Sequence, residues 1–269
     1  EHQDKNNKQP FFQYIAYTAP HWPLHAHKQD IEKYKNRFHE GWDILREKRI
    51  NRMKEKGIIK KEFKLTQRDE SQPSWKDTEN KRWQERRMEV YAAQIDCMDQ
   101  GIGKIINALI ETGNYENTVI IFLSDNGACA EIITDDWLNF LNKVGLGQTK
   151  TWEGENIKYG NNPAYMPGGE DTYQSYGVAW ANLSNTPFRL YKHWVHEGGI
   201  ATPFIVHWPE KIKAKGEFRH QPAQLPDIMA TILDLTDTQY PSEFNGKKVK
   251  PLEGLSFIKT FDDEPHKRE

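Results

Sequence analysis

Apolar positions recur along the chain with more than one period. From about Glu79 to Thr112, the residues Trp83, Tyr91, Ile95, Met98, Ile102, Ile105 and Leu109 return to one face of a 3.6-residue repeat. Gly113 follows where a cap is needed, so the pattern predicts one long amphipathic helix. Ile228, Met229, Ile232 and Leu233 give the same spacing within Leu225 to Leu235, a second predicted helix. Three short apolar runs read differently: Phe11 to Thr18 before Pro20, Val119 to Leu123 before Ser124-Asp125-Asn126-Gly127, and Ala201 to Trp208 before Pro209. Each is short and bounded by turn residues, which predicts buried strands. Gly41 to Lys64 sets Trp42, Ile44, Leu45, Ile50 and Met53 among many Lys, Arg and Glu, the pattern of a solvated helical excursion with its charges on the surface. Trp152 to Asn185 is dense in Gly, Asn, Pro and Tyr without a sustained period and reads as a long functional loop.

Strands alternating with helices predict an α/β layered domain, whose ligands bind beyond the carboxyl ends of the strands. A length of 269 residues suits one such domain. An apolar content of 36% is low, but 9 Trp, 11 Tyr and 12 Phe are enough large rings to supply a core and argue against disorder. A net charge of -2 gives no electrostatic reason to expect nucleic acid or an anionic membrane as partner, and no apolar run is long enough to span a bilayer as a helix. Cys97 and Cys129 make neither a disulfide framework nor a zinc motif and are expected as two buried thiols. The polar stretch Glu1 to Gln9 has no initiator Met and no signal-peptide pattern, which points to a start inside a gene.

Three clusters carry candidate chemistry. Asp125 and Asn126 put a carboxylate and an amide oxygen together at a strand's C-terminal edge, a pair suited to calcium or magnesium, although Asp-Asn-Gly also makes a plain turn. His21, at the end of the first predicted strand between Pro20 and Pro23, is placed to exchange protons near neutral pH; a lone histidine is also an ordinary polar residue. Lys192 lies before the His196-Glu197-Gly198-Gly199 turn, where a lysine holds an oxyanion as a point charge if it faces a cleft and is a surface residue if it does not. Arg189 shares that ambiguity.

In order and spacing, these clusters resemble the sulfatase family of the alkaline-phosphatase-like superfamily. Its Pro-His-x-Pro, Ser-Asp-Asn-Gly and Lys-x-x-x-x-Glu-Gly-Gly segments match His21, Asp125 with Asn126, and Lys192 with Glu197-Gly198-Gly199. The texture around His21 and His196 is similar to the arylsulfatase-type branch common in bacteria. The resemblance implies a mixed sheet flanked by helices and a sulfuric-ester hydrolase acting on a sulfated small molecule or glycan. It implies Ca2+ rather than Mg2+ as cofactor, ligated by Asp125 and Asn126. His21 is then the proton donor to the leaving oxygen and Lys192 the cation on the sulfate, while Glu197 and its glycines shape the turn that aims Lys192. Tyr165, Tyr173, Tyr176 and Trp180 are expected to form a substrate wall.

The family's nucleophile segment, Cys-x-Pro-x-Arg or Ser-x-Pro-x-Arg with its formylglycine, matches neither Cys97 nor Cys129. Residues 1–269 are therefore expected to be the central and C-terminal part of one sulfatase catalytic domain, inactive alone, with 152–185 as an active-site loop and the formylglycine upstream. The full-length protein is expected in the periplasm or outside the cell. Rival expectations are a phosphomonoester or phosphonate hydrolase of the same superfamily and a non-catalytic binder of sulfated glycans.

Overall fold

A computed structural model describes residues 9–265. In chain order the elements are α1 (Lys28–Glu32), α2 (Gly41–Glu55), α3 (Lys81–Glu111), β1 (Ile120–Leu123), α4 (Asp135–Lys143), β2 (Lys158–Tyr159), β3 (Thr172–Tyr173), α5 (Gly177–Ser184), α6 (Glu197–Ile200), β4 (Phe204–His207), α7 (Leu225–Leu235), β5 (Glu243–Phe244), β6 (Lys247–Lys248) and a 3-10 turn (Ile258–Asp262). They divide into two units, residues 9–112 with 126–202 and residues 113–125 with 203–265. The composition of elements is α/β.

In the first unit α3 supplies the long spine. Val90 and Ala93 on it are fully buried and cluster with Leu24, Ile31, Trp42 and Trp180. Trp42 from α2 meets Trp180 from α5 edge-on at 5.2 Å, and Trp75 stands 4.8 Å from Trp42. Fully burying one large apolar side chain contributes about 1.5–3 kcal/mol, so this indole cluster is a principal tie between α2 and α5. Gly41 is what lets α2 enter it: its φ is +76°, and a Cβ there would lie 1.9 Å from the Trp75 ring.

The predicted long helix has the expected limits, but its buried face is not wholly the predicted one. Met88, Val90 and Ala93 are buried with Trp83, whereas Ile95 is exposed. Arg87, Glu89 and Gln94 are buried too, because each is partnered. Glu89 pairs with Arg82 at 2.6 Å and accepts from the Asn36 backbone at 2.9 Å. Arg87 lies over the Trp83 ring, 4.3 Å from its centre, and donates to the Ser175 carbonyl at 2.7 Å.

Three further expectations are corrected. Phe11 to Thr18 is irregular rather than a buried strand, with Phe12 74% and Tyr14 83% exposed; an apolar run is not by itself a strand, which needs a ladder along its length. The excursion after Gly41 is helical only to Glu55, and its Arg46 is buried, donating to the Thr66 carbonyl at 2.9 Å. The stretch read as aperiodic, Trp152 to Asn185, contains β2 and β3, paired in parallel with Lys158 opposite Thr172, and then α5. Tyr176 and Trp180 are core residues there, so they cannot belong to an exposed substrate wall.

In the second unit β1 and β4 pair antiparallel, Ile120 opposite His207 and Leu123 opposite Phe204. α7 has the predicted limits and a reciprocal cap at Gln224 and Asp227. Buried Asp227 also accepts from the Leu255 backbone at 2.8 Å, and Thr231 accepts from that of Phe257 at 3.0 Å, tying the last described segment to the helix. Among the described residues the strands form three two-stranded sheets rather than one mixed sheet. No described helix is long and apolar enough to cross a membrane.

Candidate active site

Within the first unit, segments far apart in sequence converge. His21 sits in a turn closed by its backbone on the Thr18 carbonyl at 3.0 Å, between cis peptide bonds at Ala19–Pro20 and Trp22–Pro23. Gln94 of α3 holds the turn by donating to the carbonyls of His21 and Pro23, each at 3.2 Å. The Lys192 segment is tied to the chain after Asn126: the Lys192 backbone donates to the Ala128 carbonyl at 3.1 Å, and that of Gly127 to the Gly199 carbonyl at 3.0 Å. Gly127 is required by this approach, since a Cβ would fall 1.8 Å from the Gly198 carbonyl oxygen. Asn185 fixes the same loops, accepting from Ala128 at 2.9 Å and donating to the carbonyls of Leu190 at 2.7 Å and Gly198 at 2.6 Å.

The result brings His21 and Lys192 together, with Lys192 Nζ 3.1 Å from His21 Nε2. An ammonium only donates, so Nε2 is the acceptor; Nδ1 lies 2.9 Å from the Trp22 carbonyl, which only accepts, so Nδ1 carries the proton. In this arrangement His21 is the neutral Nδ1–H tautomer.

Glu131 is the residue that sequence reasoning missed. Its Oε2 accepts from Trp22 Nε1 at 2.8 Å and Cys129 Sγ at 3.1 Å and lies 3.5 Å from Lys192 Nζ, while Oε1 is 3.0 Å from His193 Nε2. Burial pushes this carboxyl up, but the hydrogen bonds of His193, Cys129 and Trp22 and the charge of Lys192 outweigh that and hold it down to about 2. The Cys129 thiol is pushed up, by burial first and by Glu131. Both cysteines are free, as expected, but half-buried rather than buried. One sequence signal was available: Glu131 is the lone charge in Ala128-Cys129-Ala130-Glu131-Ile132-Ile133, and an acid in apolar company needs partners.

Asp125 and Asn126 are joined by a peptide bond across the division between the two units. Asn126 spends its amide nitrogen on the Gly127 carbonyl at 2.8 Å, and its Oδ1 has no hydrogen bond among the described residues. Asp125 is exposed and has no ion pair among them either. A carboxylate and an amide oxygen are hard donors of the kind that calcium and magnesium take. A second donor set, His21, Cys129 and Glu131, has its ligand atoms within 4.8 Å of one another. Its imidazole and thiol suit zinc better than calcium. The Lys192 ammonium, close to both His21 and Glu131, puts positive charge into that space and disfavours a cation there. Arg189 is exposed and makes no ion pair among the described residues.

Residues 1–238 match the sulfatase family model, and the chain belongs to that family. It is 35% identical over 265 residues to an uncharacterised sulfatase of Schizosaccharomyces pombe, covering 96% of this chain and 45% of that protein. It is 30% identical over 258 residues to an arylsulfatase of Klebsiella aerogenes, covering 93% of this chain and 51% of that one. A steryl-sulfatase of Mus musculus is 26% identical over 164 residues, 60% of this chain and 20% of the relative. The chain thus spans about half the length of the first two.

Proposed function

We propose that the whole protein hydrolyses sulfate esters of a small molecule or glycan, with Lys192 holding the sulfate and His21 delivering the proton to the leaving oxygen. The observation that carries this reading is the 3.1 Å approach of Lys192 Nζ to His21 Nε2. An arriving sulfate offers the ammonium a full anionic acceptor in place of the neutral imidazole. His21 Nε2, released from Lys192, then takes up a proton from solvent water and presents it to the bridging oxygen as the S–O bond breaks, so the alcohol departs neutral. Lys192 meanwhile faces the charge that develops on the sulfate.

Asp125 and Asn126 are proposed as ligands of a hard cation, Ca2+ before Mg2+, on the strength of a carboxylate without an ion pair and an amide oxygen without a hydrogen bond among the described residues. That ion supplies neutralisation of sulfate oxygens, and the family's formylglycine, proposed to lie outside these residues, supplies the attacking oxygen. The layered, mixed-sheet architecture of the alkaline-phosphatase-like superfamily is proposed for the whole protein. The test is turnover by the full-length protein with calcium. Lys192→Ala should lower kcat/KM on all sulfate esters by about 100-fold or more and by the same factor, because it acts on the group they share. A loss confined to some alcohols, or a preference for phosphate monoesters over sulfate esters in the unaltered protein, would reject the reading.

A further inference from the structure

We propose that Glu131 is a positioning residue for this chemistry: its carboxylate is the fixed counter-charge that holds Lys192 and Trp22 beside His21. The proposal rests on the roles of His21 and Lys192 just given. The carboxylate gathers groups from three segments distant in sequence: Trp22 beside His21, Cys129 on its own segment, and Lys192 with His193. Its two oxygens divide the work. Oε1 takes His193, while Oε2 takes the indole N–H and faces the ammonium.

The unequal distances indicate what the carboxylate does to Lys192. The ammonium is 3.5 Å from Glu131 and 3.1 Å from His21 Nε2. It is steered toward the imidazole and not locked into a close ion pair, so an arriving anion can draw it away without breaking one. A carboxylate touching the sulfate would repel it, which is why Glu131 acts through Lys192 and Trp22. The Trp22 ring centre lies 4.5 Å from that of His21, so fixing the indole also fixes the surface on which the imidazole rests.

The test uses the full-length protein with calcium and the variants Glu131→Gln, Glu131→Asp and Cys129→Ser. Glu131→Gln keeps an acceptor for Trp22 but removes the charge; kcat on sulfate esters should fall by about 10- to 100-fold while KM stays within about twofold. Glu131→Asp should recover part of the loss. Cys129→Ser, which alters a partner of the same oxygen, should stay within about twofold of the parent. An unchanged kcat in Glu131→Gln, a loss seen only in KM, or an equal loss in Cys129→Ser would overturn the proposal. If Glu131→Gln does not unfold cooperatively, Glu131→Asp carries the test, and parental kcat in it overturns the role. If the parent protein hydrolyses no sulfate ester, the functional reading fails by itself. Positioning is then judged from the Trp22 indole N–H resonance, which Glu131→Ala must move and whose constancy would refute it.

Discussion

His21 and Lys192 are 171 residues apart in sequence and meet through one nitrogen each. The role proposed for His21 gives a leaving-group dependence: His21→Ala should lower kcat/KM by roughly 100- to 10,000-fold for sugar sulfates and far less for a nitrophenyl sulfate, whose leaving oxygen scarcely needs a proton. Parallel kinetics on both esters decide it, and equal losses exclude the role. Glu131 makes a separate prediction. Its folded value of about 2 lies below the unbound value of 4.5, so its stabilising contribution is present above about pH 4.5 and disappears as the pH falls toward 2. Denaturant unfolding across that window should show a shallower loss of stability in Glu131→Gln than in the parent; parallel curves would mean that the carboxylate is not held by its partners.

At the scale of elements, the tie between α2 and α5 is the three-indole cluster. Trp180 is fully buried, stands 5.8 Å from Trp75 and donates to the Gln84 carbonyl of α3 at 2.9 Å. Trp180→Ala should cost about 3–5 kcal/mol, the range for large buried rings, read from the urea midpoint of the first unit's transition. A cost below about 1 kcal/mol would show that the cluster collapses around the gap. α3 and α7 were legible in sequence because a sustained 3.6-residue period marks a helix and its limits, although the face that packing buries is not wholly the one the period marks. The buried charges of α3 were not, since Arg87 and Glu89 are admitted partly by the backbone of Ser175 and of Asn36, which adjoin them only after folding.

For the molecule as a whole, the three motif clusters were legible because each sets a candidate residue among turn formers in a fixed order: Pro20-His21-Trp22-Pro23, Asp125-Asn126-Gly127, and Lys192 ahead of Glu197-Gly198-Gly199. The meeting of His21 and Lys192 was legible only as a family resemblance: it depends on contacts of Gln94, Asn185 and Ala128 that follow no local rule. Phe11 to Thr18 shows the same limit from the other side, because an apolar run states a need for cover and says nothing of what provides it. Glu131 had no motif at all, only the oddity of a charge among apolar neighbours.

Asn185 turns one side-chain amide toward an N–H of the segment after Asn126 and toward two carbonyls of the Lys192 segment. A single-nucleotide change, or slow chemical ageing of the polypeptide, converts asparagine to aspartate without altering its shape. The carboxylate keeps the acceptor for Ala128 but presents a lone pair to the carbonyls of Leu190 and Gly198, so two attractions become repulsions. Inheritance and storage thus share one vulnerable atom, Nδ2, whose loss would loosen the lysine segment while leaving the composition of the site intact.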